Sequence, residues 1–113
     1  MATKTKNNLT AVATTNLTSV TTTTTHLTAL ELSNLAAYTV YFKIYDKASA
    51  PVLASDIPII TIPVPANSNV GKTWLIGLLL TLGYAYAITK GQANTDTTVL
   101  AAGDINVHNT YVS

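Results

Sequence analysis

Bulky and small residues alternate along Gly83-Tyr84-Ala85-Tyr86-Ala87-Ile88-Thr89. This is the period-two pattern of a β-strand with one bulky and one small face. The bulky face, Tyr84, Tyr86 and Ile88, requires burial. The small face, Ala85, Ala87 and Thr89, either admits a second layer at close range or faces solvent. A second alternation runs through Tyr38 to Asp46: Val40, Phe42 and Ile44 point one way, Tyr41, Lys43 and Tyr45 the other. It predicts a half-buried strand with an amphipathic outer face. Near the C-terminal end Ile105, Val107, Asn109 and Tyr111 share one face, and Asn106, His108 and Thr110 the other. Leu27 to Leu35 also reads as a strand, with Ser33-Asn34 as its turn. In Ile57 to Val64 the core candidates are Ile60, Ile62 and Val64. Pro58 and Pro63 place that segment at a sheet edge, because proline donates no ladder hydrogen bond.

The 17 residues between Lys72 and Lys90 carry no charge. A membrane helix needs about 20 apolar residues. Gly77 and Gly83 interrupt the run, and the Tyr-Ala alternation has the strand period. The expectation is therefore short strands around Leu75-Ile76 and Leu78-Leu80, then Gly83-Thr89, with no membrane span. Turn residues cluster at Asp46-Pro51, Pro65-Gly71, Gly91-Thr98 and Ala101-Asp104. About eight short strands without a helix predict an all-β chain, a single antiparallel β-sandwich of jelly-roll-like form. Residues 1–25 are dominated by threonine, with Leu9, Val12, Leu17 and Val20 as sparse apolar anchors. The segment reads either as a low-complexity tail or as an extended arm that pairs with a neighbour's sheet edge. The expected organisation is a Thr-rich N-terminal arm over 1–25 and a β-sandwich over 26–113.

Composition changes the picture in one respect. Charged residues make up 10% of the 113-residue chain and mean hydropathy is +0.32, against about 25% charged in ordinary soluble domains. Such a surface is expected to be covered by partners, and the chain to form a homo-oligomer, a homotrimer. The net charge is +1, with six lysines and no arginine, and most of the lysines are scattered. No basic face for nucleic acid is indicated. Without cysteine there is neither a disulfide nor a thiolate metal site.

Candidate chemistry is thin. His26 and His108 are distant in sequence and have no neighbouring ligand. Asp96 with Asn94 and Thr95 is too poor in carboxylates for Ca²⁺ and suits an Asx turn. Gly71-Lys72-Thr73 echoes the end of a phosphate loop, but Ala66 stands where the first glycine belongs. Ser33, Ser49 and Ser68 lie in turn contexts, outside any nucleophile elbow. No catalytic residue, metal or cofactor is expected.

Four collinear segments carry a family resemblance. Tyr41-Phe42-Lys43-Ile44-Tyr45-Asp46-Lys47-Ala48-Ser49-Ala50-Pro51, Ile62-Pro63-Val64-Pro65-Ala66-Asn67, Gly83 to Thr89, and Ala93-Asn94-Thr95-Asp96-Thr97-Thr98 running on to Ala102-Gly103-Asp104-Ile105 resemble motifs of small virion proteins of tailed bacteriophages. The resemblance spans Leu27 to Tyr111 and departs at Trp74-Leu75-Ile76, where a polar stretch followed by Phe-Pro is more usual. It implies a non-enzymatic β-sandwich on the outer surface of the phage head: a decoration or cement subunit that binds and stabilises the shell. Its partners would be the major capsid protein and itself. The alternative is a fibre or attachment module that binds host-surface glycan, with Tyr38, Tyr41, Tyr45, Trp74 and Tyr111 as candidate aromatics. Candidate residues for a shell or subunit interface are Leu9, Val12, Leu17, Val20, Tyr41 and Tyr45.

Overall fold

The computed structural model describes residues 3–113, with side chains from Thr10 onward. Eight strands follow in order: β1 (Thr3–Thr10), β2 (Thr18–Ser19), β3 (Thr25–Asn34), β4 (Val40–Asp46), β5 (Ile60–Val64), β6 (Ser68–Leu80), β7 (Tyr84–Thr89) and β8 (Ile105–Val112). They form two four-stranded antiparallel sheets, β1-β8-β3-β6 and β2-β7-β4-β5. Each strand of the first half pairs with its mirror in the second: β1 with β8, β2 with β7, β3 with β6, β4 with β5. This is one long hairpin rolled over on itself, the topology of a jelly roll. The antiparallel sandwich expected from the alternation is present.

The core lies between the sheets. Leu27, Leu30 and Leu32 of β3 and Ile105 and Val107 of β8 meet Val40, Phe42 and Ile44 of β4 and the bulky face of β7. The Phe42 and Tyr86 rings stand 4.8 Å apart, tilted by 32°, a favoured aromatic geometry. Pro63 lies on β5, which is the edge of its sheet as the prolines require.

Every residue of β7 is buried, on both faces. The small face admits a second layer after all. Ala85 and Ala87 pack with Tyr45 and with Leu53 from the 47–59 connection. The 90–104 connection reaches Lys43, whose Nζ donates to the Ala93 carbonyl at 2.6 Å. Burial pulls the Lys43 ammonium below the usual lysine range, opposed by the nearby Asp96 carboxylate.

Two expectations change. Of the arm expected over 1–25, the described residues run along the chain's own sheets, and residues 1–2 lie outside the described residues. β1 pairs with β8 from Thr3↔Val112 to Thr10↔Asn106, and β2 pairs with β7. The Ala11 side chain is buried, and the Ile88 N–H donates to the Thr15 carbonyl at 2.8 Å. The physical reason is that β7 and β8 would otherwise expose a row of unpaired backbone groups. A threonine-rich strand with few apolar residues satisfies them through its backbone. The turn expected over 65–71 is also shorter. Asn67 alone takes the left-handed conformation, at φ 52°, and its N–H donates to the Ala36 carbonyl. β6 therefore starts at Ser68 and runs to Leu80.

Candidate functional site

The free edge of β6 carries the most exposed apolar side chains among the described residues. In the ladder with β3, Leu78 faces Leu27 and Thr73 faces Ala29. Four residues of β6, Trp74 to Gly77, thus stand opposite the single residue Thr28. An ordinary bulge inserts one extra residue; this one inserts three. Trp74 is half-buried and packs against the core, while Leu75 and Ile76 are 100% and 89% exposed. Gly77 returns the chain to the ladder at φ +87°, and a Cβ there would lie 2.8 Å from the His26 Cβ. Only glycine combines that dihedral with that approach. Leu79 and Leu82, beyond the bulge, are 51% and 60% exposed. A bulge on an edge strand blocks continuation of the ladder, so contact at this edge runs through side chains.

Next to the bulge, on the sheet β1-β8-β3-β6, lies an open depression of about 210 Å³. Gly71 is one of its lining residues, and an added Cβ there would meet nothing within 4 Å. Ala29 and Thr73 line it, and Glu31, Lys72 and His108 add its charged and titratable groups. Glu31 faces both Gly71 and His108 in register. Among the described residues the ion pair is Lys47–Asp56, and neither Glu31 nor Lys72 takes part in one.

The residues expected at an interface do not converge. The Leu9 side chain lies outside the described residues, and its backbone pairs with Val107. Val12 and Leu17 are exposed in the connection between β1 and β2. Val20 is half-buried against the chain's own core. Tyr41 is half-buried on β4. Tyr45, expected at a subunit contact, is buried inside its own chain at 2% exposure, because the 47–59 connection folds over it. The aromatics proposed for glycan are similarly dispersed. Tyr38 donates to Asp104 and lies under the Lys90 ammonium at 4.4 Å, Trp74 packs on the core, and Tyr111 is buried.

The short strand expected around Leu75-Ile76 is instead a bulge within β6. The signal for a bulge was available: two adjacent apolar residues cannot both face the core at period two, and a glycine follows them. Gly71-Lys72-Thr73 lies in mid-strand, without the strand-to-helix turn of a phosphate loop. Asp96 accepts from Thr98 and Gly91, and these contacts, chiefly the Thr98 hydroxyl, hold its carboxyl below the usual range. It closes a turn. Among the described residues, no three His, Cys, Asp or Glu side chains come close enough to hold a metal ion, and no helix is long and apolar enough to cross a membrane.

No protein-family model and no curated protein matches this chain. Among solved structures, it is similar to the Tobacco streak virus coat protein in a C2 crystal form, with a TM-score of 0.52 at 13% identity over 99% of this chain and 85% of that one. A structure of the Tobacco streak virus coat protein dimer aligns over the same shares at 13% identity, with a TM-score of 0.47. At this identity the first likeness speaks for architecture: the chain is an all-β antiparallel sandwich whose fold is also found in a viral coat protein.

Proposed function

We propose that this chain is a virion structural protein without enzymatic activity, a jelly-roll subunit that joins a particle through apolar contacts. The observation that carries this reading is the Leu75-Ile76 bulge on the free edge of β6. A chain with only 10% charged residues that projects exposed Leu and Ile side chains from an edge strand is built to be covered. The likeness in fold to a viral coat protein supports the same reading, and jelly rolls recur among viral capsid domains. Fold alone does not assign a function; the surface gives the reading its weight.

Within that class the proposed role is a decoration or cement subunit on the outer surface of a tailed-phage head. The proposed partners are the major capsid protein and further copies of itself. Support for this role is the resemblance of the four segments in sequence. Tyr41 to Pro51 covers β4 and the start of the connection that buries Tyr45; Ile62 to Asn67 covers the end of β5 and its turn; Gly83 to Thr89 is β7 with the glycine before it; Ala93 to Thr98 is the loop that receives Lys43. The test is quantitative mass spectrometry and cryo-electron microscopy of purified particles of the virus that encodes the chain. The expected result is a fixed copy number on the outside of the head shell. Absence from the particles would overturn the reading, and density confined to a tail fibre would transfer the protein to the attachment class.

A further inference from the structure

We propose that residues 91–98 form a lid over Lys43, and that the charge on Lys43 sets how often the lid opens. The inference concerns this chain alone and does not rest on the virion reading. Lysine is among the residues least often fully buried, yet Lys43 is 0% exposed. It lies on the outer face of the sheet β2-β7-β4-β5, paired in register with Ala87 of β7 on one side and Thr61 of β5 on the other. Among the described residues its ammonium makes one hydrogen bond, to the Ala93 carbonyl of the lid at 2.6 Å, although an ammonium has three N–H groups to satisfy.

The lid is bonded mainly to itself. Asp96 accepts from the Gly91 and Thr98 N–H groups and from the Thr98 hydroxyl. The Asp96 N–H donates to the Ala93 carbonyl at 3.0 Å. At the neck the Lys90 N–H donates to the Thr98 carbonyl at 3.4 Å, and the Thr89 hydroxyl to the Gly91 carbonyl at 2.8 Å. The lid has no apolar anchor of its own: Gln92 to Thr95 and Thr97 to Val99 are exposed, and the first buried side chain is Leu100. Segments with few buried apolar contacts lie at the low end of local stability. A loop that keeps its own hydrogen bonds, and whose body meets the sheet at Lys43, is able to lift as a unit. Lifting returns the ammonium to water.

The sign of the pH response follows from burial. Closing the lid desolvates the ammonium and pulls Lys43 below the usual lysine range, against the attraction of the Asp96 carboxylate. The other groups on that face are the Tyr41 and Tyr45 phenols of β4 and, near Tyr45, the Lys47–Asp56 pair. β5 and β7 present Thr61, Pro63, Ala85, Ala87 and Thr89 there, none of which titrates, and Lys90 is turned to the Tyr38 ring. Closure therefore releases a proton. The lid opens most near neutral pH and closes as pH rises toward the ordinary lysine value of about 10.4.

NMR of the full chain, with ¹³C at the lysine ε-carbons and the alanine methyls, tests this from neutral pH to about pH 10. One of the six lysine signals is expected to titrate below the others, with the Ala93 methyl moving on the same curve. In K43M, which keeps a stem without the charge, Ala93 is expected to stay at its high-pH position throughout. Cleavage of the lid by a broad-specificity protease at neutral pH is expected to slow on the order of tenfold in K43M, since cleavage follows the open population. Lys43 titrating with the other lysines, or titrating low without movement at Ala93, overturns the proposal. So does faster cleavage of K43M, which would mean that the ammonium holds the lid shut. The wild-type titration decides the matter even if K43M does not fold, and neither measurement depends on whether the chain is found on particles.

Discussion

The Tyr84 hydroxyl on β7 donates to Oδ1 of Asn109 on β8, with both side chains at 0% exposure. It is a buried polar link between the two sheets. The Asn109 Nδ2 group has no hydrogen-bond partner among the described residues, so the asparagine depends on this contact. Tyr84→Phe leaves Oδ1 unpaired as well and is expected to destabilise the fold by about 1–3 kcal/mol. Adding Asn109→Leu removes the stranded group and should recover most of that loss. Denaturant melts of the two variants check it, and an unchanged midpoint in Tyr84→Phe would show that the link contributes nothing.

Burial raises the phenols of Tyr84, Tyr86 and Tyr45, and Tyr84 lies well above the usual range. The sign follows from linkage. The folded state favours the neutral phenol, so the stabilisation is complete below the ordinary tyrosine value of about 10 and is lost as pH rises above it through the raised folded values. Stability is expected to hold from neutral pH to about pH 10 and to fall beyond. Tyrosinate absorbance should appear together with loss of the β signal in circular dichroism. Ionisation of Tyr84 in a still-folded chain would contradict its placement.

Asp46, at the end of β4, accepts from the backbone N–H groups of Thr81 and Leu82 and from the Thr81 hydroxyl. Partial burial raises its carboxyl, but the contacts with Leu82, Thr81 and Gly83 outweigh burial and hold it below the usual range. Its stabilisation is present above the unfolded carboxylate value of about 3.9 and disappears as pH falls through the lower folded value. Asp46→Ala is expected to cost about 1–2 kcal/mol near neutral pH and to flatten the acid side of the stability curve. Thermal melts from neutral to acid pH give both readings.

Two glycines of β6 should answer alanine differently. At Gly77 the side chain meets a left-handed φ and the His26 Cβ at 2.8 Å, so Gly77→Ala is expected to cost about 1–3 kcal/mol. At Gly71 there is open space and no positive φ, and Gly71→Ala should change stability by less than about 1 kcal/mol, toward gain. Parallel melts of the two variants decide it, and similar losses at both positions would refute the bulge geometry.

Local alternation along the chain was enough to place the core. Val40, Phe42, Ile44, Ile62, Tyr86 and Ile88 are buried as their period-two positions require, since a strand turns every second side chain to one face; Ile60, expected with them, is only half-buried at the start of the edge strand β5. The prolines marked β5 as an edge for an equally local reason. Which strand pairs with which depends on backbone groups, whose demand for partners is the same in every residue. Thr3 to Thr10, nearly without apolar side chains, is held in the sheet by its ladder with β8, so no side-chain pattern could distinguish it from a free arm. Tyr45 looked exposed because its own strand leaves it on the outer face; the 47–59 connection buries it. The Leu75-Ile76 bulge followed the same rule in reverse. The sequence contained the two adjacent apolar residues and the glycine, but only the pairing of β3 with β6, three residues out of step across Thr28, decided that they leave the sheet, because register is a property of two strands and is written in neither alone.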